Sequence, residues 1–350
     1  MNRIQLDDYQ SIIKSNIKFE QFKNKVFLVT GGTGYLGSFL IKSLLYCNDY
    51  LKLNLRIIAQ VRNLEKAKQI FQELCNHSSL EFLVMDFCKD ELRLYENVDY
   101  IIHTVAVTES KVMIQKPVET IYSSLKSIEK ILEYSVENRP ESIVYVSSME
   151  MYGSVDDRQD VTENVLGVID PLEVRSDYPE SKRMSENLCV AYCNEYKVNV
   201  KIARLAQTFG SGILKGENRV FAQFARCVIN SNDIVLHTTG ESDGNYCYIS
   251  DVIKGLLLIL LEGEPGNAYN IANEKMHTSI KGMAELVVND IAMSKIGIKF
   301  DIPEKNIFGY AAPVKMKLNS SKLRALGWEP EIGLKEAYFR MIEDMKDRNI

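Results

Sequence analysis

The sequence predicts an α/β fold, in which a doubly wound parallel sheet carries helices on both faces and is followed by a smaller C-terminal lobe. From about residue 25, strand-like apolar runs alternate with helical patterns. The runs at residues 26–29 and 143–146 are apolar throughout, which is typical of strands buried on both faces. A glycine-rich turn also joins the first predicted strand to the helix after it. Together these three observations predict the fold class.

Six strands are predicted, at residues 25–30, 56–61, 81–85, 100–104, 142–147 and 198–205. Apolar residues spaced three and four positions apart predict amphipathic helices over residues 37–45 and 124–136. Residues 1–21 precede the first strand, and we expect them to form a helix packed on the outside. After Phe209 the alternation stops and glycine-rich turns follow.

This break divides the chain into three predicted parts. Residues 1–22 form an N-terminal extension. Residues 23–209 form the sheet domain, which about residues 246–273 complete. Residues 210–245 and 274–350 form the smaller lobe, which we expect to bind a substrate.

Composition and charge exclude several classes of protein. The net charge is −5 and the charged residues are evenly mixed, so no basic surface is expected for a nucleic-acid partner. Charged residues occur throughout residues 1–22, and the longest apolar run, residues 255–261, is too short to cross a bilayer. We therefore expect no membrane partner.

The seven cysteines form no CxxC pair and lie mostly within apolar segments, as in reduced cytosolic proteins. Cys189 and Cys193 lie four residues apart on a predicted helix, but no histidine is near them in sequence, so core packing is expected and metal binding is not. The predicted location is the cytoplasm.

The segment after the first strand reads TGGTGYLG, residues 30–37, and leads directly into a helix. Glycines allow a tight turn here and let backbone N–H groups approach a pyrophosphate at the helix N-terminus. This context predicts a Rossmann-like dinucleotide-binding domain. The cofactor-binding residues of the turn are Gly31, Gly34, Tyr35, Leu36 and Gly37.

The ends of the next strands suggest further cofactor contacts. An acidic residue that binds the ribose 2′-hydroxyl usually ends the second strand of NAD-binding folds, but here the only charged residue is Arg62. Since a guanidinium suits a 2′-phosphate, we favour NADP over NAD, with a solvated loop arginine as the alternative. Asp86 is placed to bind the adenine amino group, or is an ordinary turn aspartate. Phe87 and Val105 complete the predicted site.

Tyr178 and Lys182 lie four residues apart in the sequence YPESK, and hence on one helix face. A nearby ammonium stabilises a phenolate, so we expect Lys182 to lower the pKa of Tyr178 from about 10 toward neutrality. The phenol could then act as a base or an acid. A predicted strand that ends in Ser147 and Ser148 precedes this helix.

With these features the chain resembles the extended short-chain dehydrogenase/reductases of the nucleotide-sugar epimerase/dehydratase group, over about residues 25–335. The resemblance implies that Tyr178 deprotonates a sugar 4-hydroxyl while hydride passes from C4 to the nicotinamide. It also implies that Ser148 orients the same oxygen and that Lys182 holds the nicotinamide ribose. The segments that carry it are residues 30–37, 86, 102–103, 116–119, 148–153, 178–182, 204–210, 248–251 and 326–328.

Two departures from this family bear on the reaction. Related hexose 4,6-dehydratases carry an Asp-Glu pair where this chain has Met149 and Glu150. A thioether cannot donate a proton, so dehydration by the usual acid is not expected. Glu150 could still act as a base at C5, or it is an ion-paired structural carboxylate. Gly244 stands where the family commonly has an arginine that clamps the substrate diphosphate.

The resemblance also assigns substrate contacts to Gln207 and Asn218, and Arg219 could add a cation. Each of these three residues is equally compatible with an ordinary surface position that has no contact with a substrate. Arg219, Lys315 or Lys317 could compensate for the missing arginine, or the substrate carries less phosphate. Ser124 and Ser127 replace the usual Asn and Gly of the fourth helix. These replacements could relax the geometry of a catalytic water.

Three functions are compatible with these residues. The first is an NAD(P)-dependent nucleotide-sugar enzyme in which C4 oxidation activates C5 for epimerisation, elimination or decarboxylation. The second is a 4-ketosugar reductase that consumes NADPH. The third, of another class, is a dinucleotide-sensing or scaffold protein without turnover. Relatives pair through two helices, which implies a homodimer. Its predicted apolar seam consists of Ile128, Leu132, Leu188 and Ala191, which alternatively pack on the chain's own sheet.

Overall fold

The centre of the protein is a seven-stranded parallel sheet. The computed structural model describes residues 2–94, 97–156, 159–303 and 315–350. Its strands are β1 (Val26–Thr30), β2 (Arg56–Val61), β3 (Leu80–Val84), β4 (Tyr100–His103), β5 (Ser142–Ser148), β6 (Val200–Leu205), β7 (Gln207–Phe209), β8 (Ile234–Leu236), β9 (Asp243–Tyr248), β10 (Ala268–Ile271), β11 (Asn273–Ser279) and β12 (Ile298–Phe300).

The helices alternate with the strands through the first part of the chain. They are α1 (Arg3–Ile13), α2 (Tyr35–Leu51), α3 (Leu64–Phe71), α4 (Ser110–Gln115), α5 (Pro117–Asn138), α6 (Asp177–Tyr196), α7 (Val220–Ile229), α8 (Ile249–Glu262), α9 (Ile280–Leu286), α10 (Ser321–Arg324) and α11 (Leu334–Asp347). The alternation confirms the predicted α/β class.

The strand order of the central sheet is β10-β6-β5-β4-β1-β2-β3, and every neighbouring pair is parallel. The order reverses direction at β1, so a crevice is expected at the carboxyl ends of β1 and β4, where open α/β sheets bind ligands. Each of the six predicted strands lies within two residues of an observed one at both ends, because strands buried on both faces show continuous apolar runs.

Helices cover both faces of this sheet. On one face, Val29 of β1 packs in a core with Leu44 of α2 and Leu256 of α8. On the other face, Leu28 packs with Ile128 of α5 and with residues of α6. Alternate residues of β1 therefore serve two cores, which is the layer arrangement of a doubly wound fold.

The N-terminal extension differs from its prediction. Helix α1 forms, but Asp8, Tyr9 and Ile12 are fully buried, so its inner face belongs to the main core instead of resting on the outside. Local periodicity could not show this, because the partners of α1 lie in α2, α8 and α11. The extension is thus a part of the fold with its own buried polar contacts.

Beyond Phe209 the chain forms smaller elements. A three-stranded sheet has the order β11-β9-β7, with β11 antiparallel to β9, and β12 pairs with β8 in a two-stranded parallel sheet. Strand β10 returns to the edge of the central sheet beside β6. The proposed domain boundaries remain a prediction. In the part of the chain that is described, no helix is both long and apolar enough to span a membrane.

Candidate active site

The glycine turn connects β1 to α2 at the crevice of the sheet. Gly31 has a φ of +68°, and a Cβ atom there would lie 2.8 Å from the Thr104 Oγ1 atom. A Cβ atom at Gly37 would lie 2.5 Å from the Gly31 carbonyl oxygen, which no larger residue allows. The Gly34 N–H donates to that same carbonyl at 2.8 Å. The glycines thus let the helix start directly on the turn, as a pyrophosphate site requires.

Gln60, which sequence reasoning missed, fixes this turn to the neighbouring strands. Its side-chain oxygen accepts from the Gly31 N–H at 3.0 Å, and its amide nitrogen donates to the Met85 carbonyl at 2.7 Å. The side chain is buried. A polar residue inside the apolar strand β2 was the available signal, because a buried amide needs partners.

The other predicted cofactor residues follow the ends of β2, β3 and β4. Arg62 is exposed directly after the buried Val61, and Val105 is half-buried after β4. Asp86 accepts from the Cys88 N–H at 3.0 Å, a turn contact, and its carboxylate lies 3.8 Å from Lys89 Nζ. Leu36, in the first turn of α2, packs against the main core. Contacts of these residues with a cofactor remain predictions.

A buried histidine, His103, connects the end of β1 to α5. His103 Nδ1 lies 2.9 Å from the Thr30 hydroxyl, and its Nε2 lies 3.1 Å from the Ser127 hydroxyl. Burial lowers the pKa of His103 to about 3, and Lys182 adds to this effect. The ring stacks on Tyr145, with centroids 5.9 Å apart. Phe87 is also buried and packs edge-on against this neutral ring.

Ser148, Tyr178 and Lys182 come together at the carboxyl end of β5. The Ser148 hydroxyl lies near the Tyr178 phenol and lowers its pKa, and Tyr178 is 6% exposed. Lys182 Nζ lies 5.8 Å from the centroid of the Tyr178 ring and 4.8 Å from that of Tyr145. It donates to the Val146 carbonyl at 2.8 Å. The predicted helix spacing therefore places the phenol and the ammonium side by side.

The expected lowering of the Tyr178 pKa is wrong for this structure. Burial raises the pKa of the phenol above its ordinary value of 10.0, and the negative charge of Glu150 raises it further. Hydrogen bonding to Ser148 and the charges of Arg175 and Arg219 lower it, but they do not outweigh burial. Burial also lowers the pKa of Lys182 to about 8, so Lys182 loses its positive charge more readily than an exposed lysine does.

Glu150 forms an ion pair, as the structural alternative in the sequence analysis allowed. Its Oε2 atom accepts from Arg175 at 2.9 Å, and the two side chains are 34% and 25% exposed. The Arg175 guanidinium lies 5.9 Å from the centroid of the Tyr178 ring. Arg175 lies in the short 3₁₀ helix Val174–Ser176, and no pattern in the sequence paired it with Glu150. Both charges thus act on the phenol, in opposite directions.

The predicted substrate residues lie on β7 and before α7. Gln207 opens β7 and is half-buried, whereas Asn218 is exposed. Arg219 forms a bidentate pair with Glu217, with its Nε and terminal nitrogen 3.0 and 2.7 Å from the two carboxylate oxygens. Its charge lowers the pKa of Tyr178, so the guanidinium acts on the phenol. Lys317 pairs with Asp160 at 2.9 Å.

The predicted dimer seam needs a correction. Ile128 and Leu132 are fully buried in the core under the sheet, half-buried Leu188 packs against that core, and Ala191 is exposed. A shallow groove of about 400 Å³ lies instead between α5 and α6 and is lined by Ile121, Leu125, Asp177, Glu180, Ser181, Arg183, Met184 and Asn187. Tyr122 and Met184 are exposed apolar residues on these two helices. The outward apolar face is therefore different from the predicted one.

Comparison with known proteins places this geometry in a family. The family described as the NAD dependent epimerase/dehydratase family matches residues 27–272. UDP-glucuronic acid decarboxylase 6 of Arabidopsis thaliana is 26% identical over 336 residues, covering 95% of this chain and 92% of the relative. The dTDP-D-glucose 4,6-dehydratase of Bos taurus is 27% identical over 337 residues, covering 93% and 89%.

Solved structures of low sequence identity share the fold. The UDP-glucose 4-epimerase of Thermotoga maritima, solved with UDP-glucose, superposes with a TM-score of 0.77 at 20% identity, covering 93% of this chain and 100% of that one. The UDP-glucuronic acid 4-epimerase of Bacillus cereus, solved with UDP-glucuronic acid and NAD, gives 0.77 at 19% identity, covering 92% and 99%.

Proposed function

The chain belongs to the NAD-dependent epimerase/dehydratase family, and we propose on that basis that it oxidises a nucleotide sugar at C4, transforms it at C5 and then returns the hydride. The observation that carries this proposal is the cluster of Ser148, Tyr178 and Lys182 at the carboxyl end of β5. The curated relatives are named for decarboxylation and dehydration of such sugars.

The residues of the glycine turn fit a dinucleotide. The space beside Gly31 and Gly37 is too small for any Cβ atom, so backbone N–H groups at the start of α2 remain open to a pyrophosphate. When bound, the dinucleotide supplies the acceptor for the C4 hydride. Arg62 at the end of β2 is a cation that suits a 2′-phosphate, which supports NADP beside NAD.

Tyr178 would remove the proton of the sugar 4-hydroxyl. The Ser148 hydroxyl lowers the pKa of the phenol, and Ser148 would also orient the oxygen that reacts. Burial raises the pKa of the phenol, so positive charge near the ring must stabilise the phenolate as it forms. Lys182 and Arg175 supply such charge at 5.8 and 5.9 Å from the ring centroid. Both would therefore support proton transfer.

Glu150 would act on C5 once C4 is a ketone, because a ketone acidifies its neighbouring C–H bond. Its carboxylate is paired with Arg175 and still one-third exposed, so it can meet a substrate. Met149 is buried and has no acidic proton, so elimination by the acid of the hexose dehydratases is not part of this proposal. Epimerisation, decarboxylation and an elimination that uses another acid are the remaining reactions.

We also propose a homodimer that pairs through α5 and α6, on the groove between them. Ile121, Leu125 and Met184 give this groove apolar walls. The free state of all seven cysteines supports the proposed cytoplasmic location. Sedimentation at micromolar concentration tests the dimer, and a monomer there would refute it.

The decisive experiment incubates the purified protein with NAD or NADP and a panel of UDP-, dTDP- and GDP-sugars. Mass spectrometry of the products and absorbance of the reduced nicotinamide are followed together. The proposal expects a changed sugar with cofactor used catalytically. Stoichiometric oxidation of NADPH by a 4-ketosugar would favour the reductase instead. Dinucleotide binding without any turnover across the panel would favour a sensing or scaffold protein.

A further inference from the structure

The N-terminal helix α1 contributes a buried carboxylate to a network outside the catalytic cluster. Asp8 is fully buried, and its Oδ1 atom accepts from Arg340 at 2.9 Å. Its Oδ2 atom accepts from the Tyr248 phenol at 2.8 Å and from the Ser211 hydroxyl. One side chain thus joins α11, the end of β9 and the loop after β7, through bonds to a charged acceptor.

Ser211 connects this carboxylate to the glycine turn. Ser211 belongs to residues 210–213, here called the bracing loop. The Ser211 hydroxyl donates to Asp8, while the Ser211 carbonyl oxygen accepts from the Tyr35 phenol at 3.0 Å. Tyr35 is the first residue of α2 and directly follows Gly34. Two hydrogen bonds therefore separate Asp8 from the helix end that would face a pyrophosphate.

A second carboxylate fixes the same loop from α11. Asp344 accepts from the Gly212 N–H at 2.8 Å and from the side-chain amide of Gln5 at 2.8 Å. Arg348 donates to the Ile213 carbonyl at 2.8 Å. The bracing loop is thereby held on two sides, by α1 and by α11. The same bonds bind the N-terminal extension to the lobe that follows the sheet.

Ionised Asp8 is costly in this position. Burial raises its pKa to about 6, against the lowering effects of Ser211, Tyr248 and Arg340. Its hydrogen-bond donors offset only part of the desolvation cost. The fold keeps the buried charge of Asp8 although it is costly, and Ser211 connects that charge to Tyr35 at the start of α2. This connection favours a functional role in addition to packing.

We propose that Asp8 is a positioning residue for the dinucleotide site. It holds Ser211, and Ser211 holds Tyr35, so that the N-terminus of α2 keeps its orientation toward the pyrophosphate. This inference rests on the proposed function, because it requires a dinucleotide at the glycine turn. It gives the N-terminal extension a role in cofactor affinity without any contact with the cofactor.

The test measures the dissociation constant of NAD by calorimetry for the wild type and for Asp8→Asn, Tyr35→Phe and the double variant. We expect each single substitution to raise the constant about tenfold, and the double variant to be no worse than either, since linked residues couple. Asp7→Asn, at the exposed neighbouring position, is the matched control and leaves the constant unchanged. Trp328→Phe removes a bond to the Asp251 carbonyl outside this network, and it controls for general destabilisation.

An unchanged constant in Asp8→Asn, or additive effects in the double variant, would overturn the inference. If the wild type binds neither NAD nor NADP, the proposed function itself fails, which is a separate result. Should Asp8→Asn not fold, Ser211→Ala takes its place. That variant keeps the Asp8 bonds to Arg340 and Tyr248, and it must show the same loss of affinity.

Discussion

Met149 and Gly244 are neighbours in space: a Cβ atom built on Gly244 would lie 3.5 Å from the Met149 Cε atom. These are the two positions at which the chain departs most clearly from the family pattern. The two departures therefore lie side by side, with the thioether at ordinary van der Waals distance from that Cβ position. Both positions therefore lack the charged side chains that the family pattern carries there.

Gly244→Arg should strengthen binding of a nucleotide diphosphate. The Cβ atom has room at ordinary contact distance, and a guanidinium can pair with a diphosphate through two hydrogen bonds. We expect the dissociation constant of UDP to fall about tenfold, measured by calorimetry. Gly333→Arg adds the same charge at an open position before α11 and serves as control. Equal effects of both variants would show a general charge effect only.

Glu150 and Arg175 should shift the pKa of Tyr178 in opposite directions. The carboxylate raises that pKa and the guanidinium lowers it. The pH profile of the C4 oxidation half-reaction should therefore move to lower pH in Glu150→Gln and to higher pH in Arg175→Met. Movement of both profiles in one direction would contradict this electrostatic arrangement.

Glu150→Gln should also separate the two chemical stages. The variant keeps the Ser148, Tyr178 and Lys182 cluster, so reduced nicotinamide should still form on mixing with substrate. Exchange of the C5 proton with deuterated solvent should fall by about a thousandfold, the effect of losing a general base. Undiminished exchange would assign Glu150 a structural role as the partner of Arg175.

Arg62→Gln should weaken NADP binding about tenfold while NAD binding changes little, because only NADP carries a 2′-phosphate. Calorimetry with both dinucleotides measures the ratio. Arg56→Gln is the matched control, since Arg56 begins the strand that Arg62 follows and pairs with Glu81. An equal loss of NADP and NAD affinity would indicate that Arg62 supports the fold and does not select the cofactor.

Asp8 should make the free energy of unfolding fall as the pH rises from about 4 to about 6. Its pKa in the folded protein is raised to about 6 from an ordinary value of 3.8, so the fold favours the protonated form and loses that stability above the folded pKa. Arg340, Tyr248, Tyr35 and Tyr9 are the titratable groups that interact with it.

This shift of about two pKa units corresponds to roughly 3 kcal/mol. In Asp8→Asn that part of the pH dependence should vanish in urea titrations. A wild-type curve that rises over the same interval relative to Asp8→Asn would contradict the assigned direction.

Local patterns predicted the strands and the glycine turn because each depends on a short run of residues. They did not predict the bond of Asp8 to Ser211, which joins residues 203 positions apart. Periodicity also placed Tyr178 beside Lys182, yet it could not show that both are buried, and burial reverses the expected pKa shift of the phenol. The same lack of burial information misplaced the dimer seam at Ile128 and Leu132.

The central claim is that Tyr178 takes the proton of a sugar hydroxyl as hydride leaves C4. The most direct test mixes the protein, loaded with NAD or NADP, with an accepted nucleotide sugar and records absorbance of the reduced nicotinamide in a single turnover. We predict that Tyr178→Phe forms it about a thousandfold more slowly than the wild type while it binds the dinucleotide equally well. An unchanged rate in Tyr178→Phe would contradict the account.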